Sequence, residues 1–280
     1  MSNKKETPMY QIHVKHFNIE QICYSGQCFR INKNSRGYYE VVAFGQYVEL
    51  MQEGDLVTFL CSEEQFYQYW NSYFALDEDY DAIVSQIDPE DEYMLTAMKY
   101  GWGMRILKQE LWEIVVSFLI SQQNNIKRIR GCIQTICERY GTEKTNSYGE
   151  TYYCFPTAQA LSHISELELR SCNLGYRAKY ILRTSQAIAS GEFSLEHLKT
   201  LPYEEAKQEL LKLYGVGIKV AECICLYGLH HLDAFPVDTH IKHVLEEHYV
   251  DGFPFEKYQG VAGVFQQYAF YYDLHPEFPS

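Results

Sequence analysis

Short alternating runs fill the first third of the chain. Tyr38 to Phe44, Tyr47 to Met51 and Leu56 to Cys61 are rich in β-branched and aromatic residues. Gly45-Gln46 and Gln52-Glu53-Gly54-Asp55 separate them as turns, which predicts an antiparallel sheet. Ser62 with Gln65 three residues on is a capping-box signal, and Phe66, Tyr69, Trp70 and Tyr73 recur at helical spacing, so a helix is expected to follow. The acidic stretch Asp77 to Glu92 reads as surface loops and short helices.

The period changes near residue 110. Leu111 to Ile120 is apolar almost all round, the mark of a buried helix. Further helices are expected at Asn125 to Tyr140, Arg177 to Ser190, Tyr203 to Leu213, Ile218 to Leu229, Thr239 to Tyr249 and Phe255 to Tyr272. The pattern predicts an α+β architecture, with an amino-terminal antiparallel sheet domain over 1–112 packed on a mostly α-helical domain over 113–280.

Composition fits a folded protein, with 46% hydrophobic residues and 25 Tyr available for packing or base stacking. A net charge of −13 argues on its face against nucleic acid, because phosphate binding needs clustered cations. The charge is uneven, however. Gln52 to Met98 has twelve acidic residues and no Lys or Arg, whereas Arg170 to Ser190 has Arg170, Arg177, Lys179 and Arg183 and no acid. A local basic face is enough to hold a duplex. The nine cysteines form no CxxC, and none follows Cys225, which excludes a carboxy-terminal four-cysteine cluster. Met1 to Pro8 is polar, no organelle signal or basic tail follows Phe270, and no run is long enough to span a membrane. Reduced thiols in the cytoplasm are therefore expected, near the nucleoid if the source is prokaryotic.

The most informative stretch is Leu213-Tyr-Gly-Val-Gly-Ile-Lys-Val-Ala221. Gly215 and Gly217 allow a tight turn between two helices, and the free N–H groups that open the second helix suit an anion such as a DNA phosphate. An ordinary helix corner would also carry these glycines. Lys219 lies in the first turn of that helix, facing the positive end of its dipole, a setting that favours a neutral amine over a merely solvated ammonium. A neutral amine can attack an electrophilic carbon and form a Schiff base. Cys223 falls one turn on, along the same face. Nineteen residues past Lys219, Asp238 in Phe235-Pro-Val-Asp-Thr-His240 stands where a helix would be capped. Its carboxylate could also stabilise a sugar cation, or orient or deprotonate the lysine.

These residues resemble the base-excision DNA glycosylases of the helix-hairpin-helix superfamily, in the bifunctional branch that carries a lysine at this position. Ser25-Gly-Gln-Cys-Phe-Arg30, Ser121-Gln-Gln-Asn-Asn-Ile126, Gly175-Tyr-Arg-Ala-Lys-Tyr180 and the segment from Gly215 to Cys225 narrow the resemblance to the 8-oxoguanine DNA glycosylase family, in the form with an amino-terminal sheet domain. The match runs from about Phe17 to Leu274.

The resemblance implies a monomer that binds double-stranded DNA containing 8-oxoguanine, flips the damaged base out, and removes it with Lys219 as nucleophile and Asp238 as electrostatic partner, using neither metal nor organic cofactor. It implies that Cys223 and Phe270 sandwich the base, that the Gly26 carbonyl accepts the N7 hydrogen peculiar to 8-oxoguanine, and that Gln266, next to Gln267, reads the Watson–Crick edge. It assigns Gln123, Asn124, Asn125, Arg128, Tyr176 and Arg177 to the vacated stack and the opposite base, and His240 to a phosphate near the flipped nucleotide. Glutamine at 123 departs from the asparagine common in the family, which leaves the preference for cytosine opposite the lesion open. Judged singly, Gly26 is a turn glycine, Cys223 and Phe270 are core residues, and Arg128 and Arg177 are solvated or generic phosphate contacts. Three rival readings are a glycosylase for other oxidised or alkylated bases, a non-catalytic helix-hairpin-helix module that would need neither Lys219 nor Asp238, and a metal-dependent hydrolase built on His240 and His243, which lack a strong zinc spacing.

Overall fold

The computed structural model describes residues 8–275; the polar start at residues 1–7 and the end at 276–280 lie outside them. Five strands form one antiparallel sheet: β1 (Tyr10–His13), β2 (Ile31–Lys33), β3 (Tyr39–Ala43), β4 (Gln46–Glu53) and β5 (Leu56–Phe59), in the order β1-β5-β4-β3-β2. The register places Phe59 between Tyr10 and Leu50, and Leu50 beside Tyr39. Side chains alternate across a strand, so Val41, Val48, Leu50, Val57 and Phe59 are buried among Phe66, Trp70 and Phe74 of the following helix. That helix opens with the expected capping box between Ser62 and Gln65. The helix α1 (Ile19–Tyr24) crosses between β1 and β2 and ends in the Ser25-Gly26 turn.

The second body is helical. Its main elements are α2 (Glu92–Tyr100), α3 (Leu111–Ser121), α4 (Ile126–Tyr140), α5 (Arg177–Ala189), α6 (Tyr203–Leu210), α7 (Ile218–Gly228), α8 (Thr239–His248) and α9 (Ala262–Asp273). The apolar α3 lies at the centre, and α7 packs along it. The acidic segment after residue 77 also belongs here, because Tyr80, Ile83, Ile87, Met94, Ala97, Met104 and Ile106 enter the helical core and α2 packs on α9. No helix among the described residues is long and apolar enough to cross a membrane.

Two expected helices are shorter than their apolar pattern. The last begins at Ala262, not Phe255, because the chain turns through Gly260 at φ 82° and Phe253 and Phe255 pack on Phe235. The helix from Tyr203 stops at Leu210, giving way to the turn that leads into the glycine hairpin.

Polar links fasten the two bodies together. The Gln27 amide donates to the Arg105 carbonyl at 2.9 Å and accepts from the Leu107 N–H at 2.9 Å, while Gln267 donates to the Ser25 carbonyl at 3.0 Å. Arg30 pairs with Glu113 of α3 at 3.3 Å, and Arg130 of α4 donates to the Ile31 carbonyl at 2.7 Å. The Ser25-Gly26-Gln27 turn is thus held against the helical body, where the site forms.

Candidate active site and nucleic-acid interface

Gly215 and Gly217 do different jobs in the hairpin. Gly215 has φ 90°, and a Cβ there would stand 2.4 Å from the Tyr180 ring, so only glycine fits. Gly217 is the N-cap of α7 with extended backbone, and a Cβ there would meet open space. The fold itself does not demand glycine at 217; bareness there leaves the helix N–H groups open to close approach by an anion. The Gln122 amide donates to the Gly215 carbonyl at 3.0 Å and ties the hairpin to the loop after α3.

Lys219 rises half-buried from the first turn of α7, its Nζ 5.5 Å from the centre of the Phe118 ring. Cys223 follows one turn later and Tyr227 one turn after that, with Tyr227 stacked on Phe118 at 5.3 Å between centroids. Asp238 caps α8, its Oδ1 accepting from the Ile241 N–H at 3.0 Å. The cap and a role facing the cavity hold together, because the same residue lines a small cavity with Ser25, Gly26, Phe118, Lys219, Cys223, Tyr227, Pro236, Gln266 and Phe270. All six residues expected at the catalytic and base-binding positions therefore meet in one place, drawn from α1's turn, α7, the α8 cap and α9.

Burial pushes the Cys223 thiol up to about 11, outweighing the opposite pull of Lys219, so the sulfur is a neutral, apolar contact at physiological pH and not a competing nucleophile. Gln266 donates through Nε2 to the Pro236 carbonyl at 3.0 Å, and its Oε1 is buried without a partner. Gln267, by contrast, is engaged at both ends, by Ser25 and by the Tyr227 hydroxyl. An unpaired buried acceptor is costly; Gln266 carries one and lines the cavity, whereas Gln267 does neither. The cavity is about 40 Å³, little more than the roughly 30 Å³ share of one liquid water. Phe270 closes the cavity against Gly26; a Cβ on Gly26 would meet that ring at 3.4 Å.

Asp273 went unread in the sequence. It accepts from His240 Nδ1 at 2.7 Å and His243 Nδ1 at 2.8 Å, and His240 stands edge-on to Phe270 at 5.5 Å. The signal was the spacing of Gln266, Phe270 and Asp273, four and three residues apart on one helix face. Phe118 and Tyr227 carried no local signal, and Ser25 and Pro236 only their place in the quoted motifs.

The residues assigned to the opposite strand divide into two sets. Gln123 is exposed at φ 47°, Tyr176 is 42% exposed, and Arg128 is exposed with one donor on the Asn173 carbonyl at 3.2 Å. The other three hydrogen-bond within the protein, Asn125 while still exposed. Asn124 donates to the Ile120 carbonyl at 3.1 Å, and Asn125 caps α4 by accepting from the Arg128 N–H at 2.9 Å. Arg177 is only 4% exposed and donates to the carbonyls of Gln122, Gln123 and Leu174. In this state Arg177 builds the loop and does not face outward, because the carbonyls at the end of α3 need a multivalent donor.

Residues 9–115 match the family model for the 8-oxoguanine DNA glycosylase N-terminal domain, and 116–252 that of the HhH-GPD superfamily of base-excision DNA repair proteins. An N-glycosylase/DNA lyase of Saccharomyces cerevisiae is 39% identical over 52% of this chain and 42% of its own length; one of Arabidopsis thaliana is 32% identical over 78% and 62%. The chain spans about half the length of the curated relatives it matches. Among solved structures, the apo-form of the Clostridium acetobutylicum 8-oxoguanine glycosylase/lyase is 36% identical, with a TM-score of 0.89 over 95% of this chain and 97% of that one. The same enzyme in complex with double-stranded DNA containing cytosine opposite 8-oxoG superimposes equally well, with a TM-score of 0.89.

Proposed function

This chain belongs to the 8-oxoguanine DNA glycosylase family of the helix-hairpin-helix superfamily, and on that premise we propose that it excises 8-oxoguanine from duplex DNA and nicks the strand through a Schiff base on Lys219. The observation that carries the reading is the convergence of Lys219, Asp238, Cys223 and Phe270 on one cavity bordered by the unpaired Gln266 oxygen. A helix-hairpin-helix module that only bound DNA would need none of it.

The duplex is held by the hairpin N–H groups and local basic side chains, with Tyr176 and Gln123 filling the vacated stack and Arg128 meeting the opposite base. The flipped base inserts between Cys223 and Phe270. The Gly26 carbonyl accepts its N7 hydrogen, which guanine lacks, and Gln266 Oε1 accepts from its Watson–Crick edge. The Lys219 amine then forms a bond to C1′ while the C1′–N9 bond breaks, and the electron pair leaves with the base, which gains a proton. Asp238 stabilises the positive charge that develops on the sugar. Loss of the amine proton and opening of the C1′–O4′ bond give the Schiff base. Removal of a C2′ proton then expels the 3′ phosphate and nicks the strand.

Excision assays on matched duplexes test the reading. Released 8-oxoguanine and a nicked strand are expected from an 8-oxoguanine:cytosine duplex, and neither from guanine:cytosine. Release of alkylated purines with 8-oxoguanine left intact would overturn it.

A further inference from the structure

We propose that Lys179, Arg183 and Tyr214 form a phosphate-binding ledge that grips duplex DNA beyond the damaged base pair, on the outer flank of the glycine hairpin. The inference rests on the reading of the protein as a DNA glycosylase and extends its DNA footprint. Tyr176, Lys179, Tyr180 and Arg183 are spaced to share one face of α5, over about 10 Å of helix. The Tyr180 ring meets Tyr176 edge-on at 5.5 Å and Tyr214 edge-on at 5.5 Å, while the Gly215 backbone presses on it from the hairpin. A continuous ridge therefore runs from Tyr176 to Tyr214, which is 43% exposed just before Gly215.

Among the described residues both cations lean on the Tyr214 ring and not on a carboxylate: Lys179 Nζ lies 5.5 Å from its centre and Arg183 Cζ 4.5 Å. The ring orients them and leaves their N–H groups available. This is notable in a chain of net charge −13 whose stretch from Arg170 to Ser190 holds no acid. Arg183 and Tyr214 line an open groove together with Glu192 and with Glu209 and Lys212, which pair with each other. Sequence readout is not expected, because the ledge offers charge and a ring face and no base-edge pairing.

The salt dependence of DNA binding tests this directly. Equilibrium binding is measured from low salt towards 1 M for wild type, Arg183→Gln, Lys179→Gln and the double variant, each on an 8-oxoguanine:cytosine duplex and an undamaged duplex of equal length. Each single variant should lower the slope of log affinity against log salt by about one, which makes binding about tenfold weaker at 0.1 M while converging with wild type near 1 M. Tyr214→Ala should weaken binding in the same direction and Tyr214→Phe should not. Thermal unfolding checks that the exposed substitutions leave the fold intact. Slopes equal to wild type on both duplexes would overturn the ledge. Failure of wild type to excise 8-oxoguanine would instead overturn the glycosylase reading, and the undamaged duplex would still judge the ledge.

Discussion

Gln266 donates its amide to the Pro236 carbonyl at 3.0 Å, leaving its own oxygen buried and unpaired in a residue that lines the cavity with Asp238 and Lys219. That hydrogen bond joins α9 to the segment leading into the α8 cap. Gln266→Leu removes an orphan acceptor whose burial costs about 1–3 kcal/mol. The same substitution takes the donor from the Pro236 carbonyl, so thermal stability should change little, while single-turnover excision of 8-oxoguanine falls by roughly ten- to a hundredfold. A variant that melts earlier and excises normally would make Gln266 a core residue only.

Arg177 should behave in the opposite way. Its buried guanidinium satisfies the Gln122, Gln123 and Leu174 carbonyls. Arg177→Ala leaves them unpaired and should destabilise the protein by about 1–3 kcal/mol, read as a lower denaturant midpoint. Arg177→Lys should recover only part, since an ammonium cannot reproduce the planar fork. An unchanged midpoint with lost discrimination of the opposite base would mean that Arg177 acts on DNA alone.

Gln123 holds a left-handed backbone at φ 47° while exposed. Asparagine visits that region more readily than glutamine. Gln123→Asn should stabilise the loop slightly and sharpen the preference for cytosine, measured as excision rates opposite all four bases. A variant whose rates opposite the four bases keep the wild-type ratios would remove Gln123 from opposite-base recognition.

The share of this architecture that was legible in sequence depended on local regularity. The strands β3 to β5 stood out because apolar positions alternate between glycine-marked turns. The edge strands β1 and β2 did not, being four and three residues long and defined by their partners. The hairpin of Glu143–Thr145 with Thr151–Tyr153 was missed for the same reason. Residues 80 to 106 were concealed by their acidic surface, although Tyr80, Ile83, Ile87, Met94, Ala97, Met104 and Ile106 enter the helical core. Lys219 and Cys223 could be joined by one helical turn, and the motif resemblance added Gly26, Asp238, Gln266 and Phe270. Nothing local marks Phe118 as the ring beneath Lys219 or Arg177 as an inward anchor, since both roles depend on residues brought in by packing.

The Asp273 clasp has a pH signature. Its carboxylate, hydrogen-bonded to His243, raises that imidazole above its ordinary value of 6.5. A base raised by folding contributes fully below its unfolded value and loses the contribution as pH rises through the folded one. The charged clasp should therefore be complete below about 6.5 and release at a higher pH. Ring-proton NMR should give His243 a raised value in wild type and an ordinary one in Asp273→Asn. A wild-type value at or below the ordinary one would contradict the clasp.

The central claim concerns Lys219 as the atom-bearing partner of the sugar, and borohydride trapping tests it most directly. Protein incubated with an 8-oxoguanine:cytosine duplex and reduced should yield a covalent protein–DNA complex, and Lys219→Gln should yield none while remaining folded. A complex that survives in Lys219→Gln, or excision by wild type with no trapped species, would contradict the account.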